Sequence, residues 1–294
     1  RAGVNAGNSI VSGGNYNVVV GDEAGTTIST GDNNILVGFE AGTGINTGGS
    51  NVAVGSEALK TNSSGNQNVA VGYAAMRDLT TAGNNTAVGN AAMRENETGA
   101  QCSAFGRNAL LNNVSSNSNT AVGASSLSAT TSANNTGVGH NSGTNNIGGT
   151  QNVFVGAEAG EFATTADNCT IVGYQAAQGI TGTKLTGNNN TVIGSQAGLL
   201  LQGAAANNTL VGKSCGDALT IGNDNTAVGR DALTADTKGG SNVAIGDGAL
   251  STQNFTSATD VFNVAVGRLA GEANISGASC TFIGGLAGRN STGQ

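Results

Sequence analysis

The chain has 294 residues and a net charge of −7, with 10% charged and 3% aromatic residues, 49 Gly, no Pro and no Trp. This shortage of large apolar side chains argues against an ordinary globular core. Lys and Arg total only 11, and no apolar run reaches the ~18 residues of a membrane helix, so we expect neither nucleic-acid binding nor membrane insertion.

Residues 1–14 fit no register and are predicted to form an irregular start, whereas residues 15–294 form one repeat domain. The repeat is clearest in the run Asn225-Thr226-Ala227-Val228-Gly229. Its copies end at Gly21, Gly38, Gly55, Gly72, Gly89, Gly106, Gly123, Gly139, Gly156, Gly173, Gly194, Gly212, Gly229, Gly246, Gly267 and Gly284. Eleven of the fifteen intervals are 17 residues, and the others are 16, 18, 21 and 21. This period predicts an all-β parallel β-solenoid of about 16 turns, in which each turn contacts its neighbours.

Three apolar columns precede the closing Gly. The columns of Val228 and Thr226 share one face of a strand, because strand side chains alternate between faces, and Ala227 points the other way. A strand with apolar groups on both faces is normally covered on both. We expect the Thr and Val columns to be interior, and we expect the other face to be covered by oligomerisation.

Four positions of the repeat have predicted structural roles. Gly229 suits a sharp corner, because Gly reaches positive φ without steric cost. Ala232 occupies a column that admits only small side chains, and Asn225 occupies a column whose amides can hydrogen-bond from turn to turn. Val228 completes the apolar strand, and a second short strand is expected in the variable half of each turn. The four Cys fall within these columns and are predicted to be buried free thiols.

Two turns carry four extra residues, at 177–190 and 250–263. Such insertions should bulge from one side of the solenoid and leave the register intact. If this part of the chain contacts a receptor, we expect the contact at these insertions, through Lys184, Asn254, Phe255 and Asp260.

The block Asn-[Thr/Val]-Ala-[Val/Ile]-Gly-x-x-Ala resembles the head repeats of trimeric autotransporter adhesins, the YadA-like family. The run Gly-Asn-Asn-Asn-Thr-Val-Ile-Gly at 187–194 is similar to repeats of phage tail fibres. The resemblance implies a left-handed parallel β-roll built from three copies of the chain. It further implies an extracellular location on a virion or bacterial surface, and a glycan or protein receptor on a host or neighbouring cell.

We therefore expect a structural and adhesive segment of a longer trimeric fibre, most closely that of a phage or virion tail fibre. The alternatives are the head of a bacterial trimeric autotransporter adhesin, or an ice- or polysaccharide-binding solenoid that uses the Thr column. No polar constellation breaks the repeat, and the one histidine, His140, falls on a predicted turn. We expect no catalytic residues, no metal and no cofactor.

Overall fold

The computed structural model describes residues 2–10 and 13–289, in two compact units, Arg1–Asn141 and Ser142–Gln294. The chain is an all-β parallel solenoid of about 16 turns with a period near 17 residues, and no helix occurs among the described residues. Each turn contributes one three-residue strand that ends directly before a closing glycine. The solenoid and its period are therefore confirmed.

In the first unit the strands pair in parallel in chain order, with Val18 opposite Ile35 and every later pair in the same register. They are β1 Val18–Val20, β2 Ile35–Val37, β3 Val52–Val54, β4 Val69–Val71, β5 Thr86–Val88, β6 Ser103–Phe105, β7 Thr120–Val122 and β8 Thr136–Val138.

The second unit repeats this arrangement, and both insertions leave the register intact, as predicted: Thr170 pairs with Thr191, and Val243 pairs with Val264. Its strands are β9 Val153–Val155, β10 Thr170–Val172, β11 Thr191–Ile193, β12 Thr209–Val211, β13 Thr226–Val228, β14 Gly239–Gly240, β15 Val243–Ile245, β16 Thr259–Asp260, β17 Val264–Val266 and β18 Thr281–Ile283. The two-residue strands β14 and β16 pair with each other.

The middle residue of each three-residue strand points into the solenoid, and the two flanking residues point outward. In β13 Ala227 is fully buried, while Thr226 is half-buried and Val228 is 36% exposed. The prediction that the Thr and Val columns are interior is therefore wrong. Because both faces of these strands are apolar, the sequence pattern alone gave no basis for choosing between them.

The corner glycines are required by the stacking as well as by their backbone conformation. Gly229 has φ +139°, and a Cβ built on it would lie closer than 3.0 Å to the carbonyl oxygen of Gly246 in the next turn. Real Cβ atoms essentially never approach so closely. The predicted corner is confirmed, and the backbone of one turn occupies the space that any larger residue would need.

The prediction of a second strand in each turn is wrong, apart from the short pair β14 and β16. After the corner the chain turns through left-handed residues such as Asp231 (φ 55°) and Leu233 (φ 54°). These residues reverse the chain within one turn and prevent an extended segment. Their amides still bond from turn to turn, as in Asp231 N–H to the carbonyl of Lys213 at 3.0 Å.

The described part of residues 1–14 follows the repeat, contrary to the predicted irregular start. Ala2 bridges to Val20 in parallel, and Gly3 has the corner conformation, with φ 131°. Ala6, three residues further on, is buried as in the small-residue column. Residues 1, 11 and 12 lie outside the described part of the chain. The interval from Gly3 to Gly21 is 18 residues, and the residues before Gly3 are Arg1 and Ala2 in place of an Asn-x-x-Val-Gly run, which hid the match.

Buried asparagines form an Asn ladder along each unit, which is interrupted where Cys replaces Asn, as at Cys102 and Cys169. The Asn225 side chain donates from Nδ2 to Asn208 Oδ1 at 3.1 Å and to the Gly239 carbonyl at 3.0 Å. Its own Oδ1 accepts from the backbone amide of Asn242 at 3.1 Å. The Asn225 side chain therefore satisfies two backbone groups of the next turn and bonds the Asn208 amide of the preceding turn, so the predicted hydrogen bonding between turns is confirmed.

Two core positions of each turn share one volume. A Cβ on Gly42 would lie 2.7 Å from the side chain of Leu36, so a large strand centre leaves room only for a small residue four positions after the corner, which is Gly or, beside Ile171, Ala177. Large centres with Gly at that position are Leu36 with Gly42, Phe154 with Gly160, Val192 with Gly198 and Leu210 with Gly216. Ala centres with a large partner are Ala53 with Leu59, Ala87 with Met93, Ala104 with Leu110, Ala227 with Leu233 and Ala244 with Leu250.

This shared volume predicts strong coupling between Ala227 and Leu233. We expect Ala227→Leu to overfill the core at a cost of ~1–3 kcal/mol, and Leu233→Gly to leave a cavity that costs ~2–5 kcal/mol. The double variant should be more stable than the sum of the two losses predicts, with a coupling of up to ~3 kcal/mol. Thermal unfolding of the four proteins measures this, and strictly additive losses would refute the shared volume.

The Asn ladder predicts that Cys102→Asn is stabilising. Cys102 N–H donates to Asn85 Oδ1 at 2.9 Å, but the backbone amide of Asn119 meets the Cys102 sulfur, a weak acceptor. An Asn at 102 would supply the missing amide oxygen, so we expect a gain of ~0.5–1.5 kcal/mol in unfolding free energy. Cys215→Ala, in the small-residue column, is the matched control and should show no such gain.

Candidate functional site

The outward residues of the strands form an apolar surface, here called the outer stripe. It consists of the first and third residues of each three-residue strand, and Ile35 is an exposed example in the first unit. The residue after each corner glycine borders the stripe. It is aromatic at Phe39 and Tyr73, which are 52% and 54% exposed, but charged at Arg107 and Arg230. Contiguous exposed apolar surfaces mark interaction sites on soluble proteins.

In the second unit the outer stripe contains a ladder of threonines. Thr170, Thr191, Thr209 and Thr226 pair with one another in register on successive strands. The third strand residue of each of these turns is Val or Ile. The stripe therefore presents two parallel rows in this region, one of Thr and one of Val or Ile. Within each row, successive side chains are separated by the ~4.8 Å spacing of adjacent strands.

The second insertion is held by a buried carboxylate. Asp236 Oδ1 accepts from the backbone amides of Gly239 at 2.9 Å and Phe255 at 3.1 Å, and Asp236 Oδ2 accepts from Gln253 Nε2 at 2.6 Å. Gln253 Oε1 in turn accepts from Asn263 of the Asn ladder at 2.8 Å. The base of the loop is therefore fixed to the core, while residues 256–260 are exposed.

Three of the four predicted receptor contacts lie on this insertion. Asn254 and Asp260 are exposed and Phe255 is half-buried. Asn254 Oδ1 accepts from Thr237 Oγ1 at 3.1 Å, and Asp260 Oδ1 accepts from Ser241 Oγ at 3.0 Å.

Lys184 lies apart from these three, on the first insertion, and is exposed. Its neighbour Leu185 is buried and bridges to Ala163 and Gly203, which fixes the loop to the adjacent turns. The turns that end at Gly212, Gly229 and Gly246 separate Lys184 from the second insertion. The structure therefore does not bring all four residues into one site.

The second insertion also borders a groove of about 200 Å³ that sequence analysis missed. Its lining residues are Ile221, Asn223, Lys238, Gly240, Ala258, Thr259 and Asp260. They come from three successive turns, and the strand pair β14–β16 places Gly240 opposite Asp260. Asn223 and Lys238 could have been suspected from the sequence only by aligning them with a turn of altered length.

The thiols and the single histidine form no reactive constellation. Burial raises the pKa of Cys215 to about 12 and also raises the pKa of Cys102 and of Cys169. Thiols with such pKa values are poor nucleophiles at neutral pH. All four Cys are free, and His140 is exposed. Within residues 2–10 and 13–289 no three His, Cys, Asp or Glu side chains are grouped to hold a metal ion.

Comparisons of the chain with protein-family models, with curated proteins and with solved structures find no significant match. The part of the chain that the structure describes contains no helix long and apolar enough to cross a membrane. The resemblance to adhesin head repeats and phage tail fibres therefore remains a prediction.

Proposed function

We propose that the chain is a structural and adhesive fibre segment, a left-handed β-roll of three identical chains on a virion or bacterial surface, most closely a phage or virion tail fibre. The observation that supports this proposal is the outer stripe. Its apolar side chains recur in register on strand after strand, and within the described residues many of them stay exposed or half-buried.

Self-association is the simplest way to cover such a stripe. Burial of apolar surface contributes roughly 25 cal/mol per Å², so small gains at each turn add up along the solenoid. Identical copies present identical stripes, and association around a rotation axis that closes gives a finite oligomer. A threefold axis would place three stripes around one apolar centre, in the arrangement implied by the sequence resemblance.

The proposal predicts that a charge on the outer stripe disrupts the trimer. Val228 on the stripe and Leu200 outside it are both 36% exposed, so Val228→Lys and Leu200→Lys form a matched pair. We expect the native chain and Leu200→Lys to sediment at three times the mass of one chain. Val228→Lys should dissociate more readily on dilution, because a buried unpaired ammonium is costly.

A monomeric native chain in sedimentation equilibrium would contradict the trimer. Equal dissociation of the two Lys variants would show that the stripe is not the interface.

Adhesion is proposed to use the second insertion, where Asn254, Phe255 and Asp260 lie. Three copies of a weak contact on one trimer bind through avidity, so a modest single contact suffices. Removing the whole loop would also remove the buried Gln253, so substitutions give the cleaner experiment.

We expect Asn254→Ser combined with Phe255→Ala to reduce adsorption to receptor-bearing cells at least tenfold and to leave the trimer intact. The measurement is the bound fraction of labelled protein at rising cell density. Lys184→Met serves as a parallel test of the first insertion. Unchanged adsorption in the double variant would exclude Asn254 and Phe255 from the contact.

A second candidate is an ice-binding solenoid, favoured by the outward position of the Thr ladder in the second unit. A flat, regular face of hydroxyl and methyl groups can order water, provided that it stays uncovered. Thermal hysteresis in a monomeric native chain, abolished by Thr209→Lys and Thr226→Lys, would support this candidate and contradict the trimer. A trimer without hysteresis would exclude it.

A further inference from the structure

The groove beside the second insertion combines unused polar groups with a small open floor. Within the described residues, Lys238 Nζ and the Thr259 hydroxyl make no hydrogen bond or ion pair. Asn223 uses its Oδ1 to accept from the amide of Ala206 at 2.8 Å, which leaves its Nδ2 free to donate. Asp260 uses Oδ1 for Ser241, which leaves Oδ2 free to accept.

The floor of the groove exists because residue 240 is glycine. A Cβ at Gly240 would lie 2.9 Å from the carbonyl oxygen of Asn223 and 3.3 Å from Asp260 Oδ1. The apolar walls are Ile221 and Ala258, from turns on either side of Gly240. The groove is thus a shallow slot with two apolar walls, one cation, one carboxylate, one amide and one hydroxyl.

The balance of charge restricts what this slot can bind. A phosphate or carboxylate would be attracted by Lys238 but repelled by Asp260. An ammonium ion would be attracted by Asp260 but repelled by Lys238. A neutral polyhydroxyl molecule suits both residues, because hydroxyl groups donate to a carboxylate and accept from an ammonium or amide. Hydrogen bonds to charged groups are roughly twice as strong as neutral ones, so two such residues fix the orientation of a small ligand.

The size of the groove indicates one ring rather than an extended ligand. Its volume of about 200 Å³ lies below the ~300–1,000 Å³ of pockets that enclose drug-sized molecules. We propose that this groove binds one neutral sugar residue of a cell-surface glycan, with Asp260 and Lys238 on its hydroxyl groups and Ile221 and Ala258 against its apolar faces. The proposal rests on the adhesive function proposed above and names the ligand class of the second insertion.

A printed array of neutral and acidic oligosaccharides, probed with the full chain, tests this assignment. We expect binding to a group of glycans that share one neutral terminal sugar. Asp260→Asn and Lys238→Met should each lower the apparent affinity for those glycans at least tenfold, and Ala258→Trp should abolish binding by filling the slot. The substituted amide in Asp260→Asn would keep an oxygen for the Ser241 hydroxyl, so this variant should fold normally.

Asp217→Asn is the matched control. Asp217, like Asp260, accepts from a hydroxyl of an adjacent turn, that of Thr234, but it lies outside the groove. Its variant should bind the array like the native chain. Circular dichroism melting of all four variants checks that any loss of binding is not a loss of fold, and Asp260→Asn keeps the test valid if Ala258→Trp unfolds.

A trimer that adheres to cells but binds no glycan on the array would overturn the groove assignment and leave the adhesive function standing. A monomer whose glycan binding depends on Asp260 would support the groove and contradict the trimeric fibre. Glycan binding unaffected by Asp260→Asn, Lys238→Met and Ala258→Trp would place the sugar site elsewhere. Binding of free amino acids in place of sugars would show that the two charges select a zwitterion, and would also overturn the assignment.

Discussion

The close stacking of backbone on backbone at the corners is the constraint on which the rest of this structure depends. The carbonyl of one corner glycine occupies the space that a side chain on the preceding corner would need. Each unit can therefore stack its turns only if glycine recurs once per turn. The same stacking aligns the strands in register, so that every side chain stands beside its equivalents in the adjacent turns.

Close stacking also leaves a narrow interior. The space inside each turn is filled by the strand centre, the small-residue column and the residues four and seven positions after the corner, and the last of these columns includes the fully buried Ile28, Ile45, Leu79, Leu201 and Leu219. Leu36 with Gly42 and Ala227 with Leu233 are two ways to fill the same space. Because strand side chains alternate between faces, Val228 and its equivalents face outward while Ala227 faces the interior. The polar requirements of the interior are met by the Asn ladder, which bonds backbone groups that the strands leave unpaired.

Much of this architecture could be predicted from the sequence, because stacking requires the same residue type at the same position of every turn. The period, the corner at Gly229, the small column at Ala232 and the ladder at Asn225 each follow from one residue type recurring at one position. The outward face could not be chosen, because Thr226, Ala227 and Val228 are all compatible with burial.

The left-handed turns were missed for a different reason. Glu, Leu and Met seldom have positive φ, yet Glu57, Leu59 and Met76 do so here. A usable signal was present five residues before each corner, where Asn, Ser, Gln and Asp recur and where φ is also positive, as at Asp224 and Ser241. The sequence also shows that the size of the strand centre is correlated with the size of the residue four positions after the corner.

The groove was beyond the pattern altogether. It is formed by Asn223, Lys238 and Asp260 from three turns, one of which is lengthened by the second insertion. The repeat period predicts the structure of positions that recur in every turn. It does not predict a surface formed by a turn whose length differs from the others. Such departures from the repeat are where a binding function can develop without disturbing the stack.

The stacking constraint is tested most directly by comparing Gly229→Ala with Gly284→Ala in thermal unfolding. Both glycines have positive φ, +139° and +116°, so both substitutions carry similar backbone strain. At Gly229 the new Cβ would meet the next turn, whereas none of residues 2–10 and 13–289 places an atom within 4 Å of a Cβ at Gly284, other than the glycine and its chain neighbours. We expect Gly284→Ala to be tolerated with a loss on the order of 1–2 kcal/mol, and Gly229→Ala to lower the unfolding midpoint far more. Equal effects of the two substitutions would contradict the account.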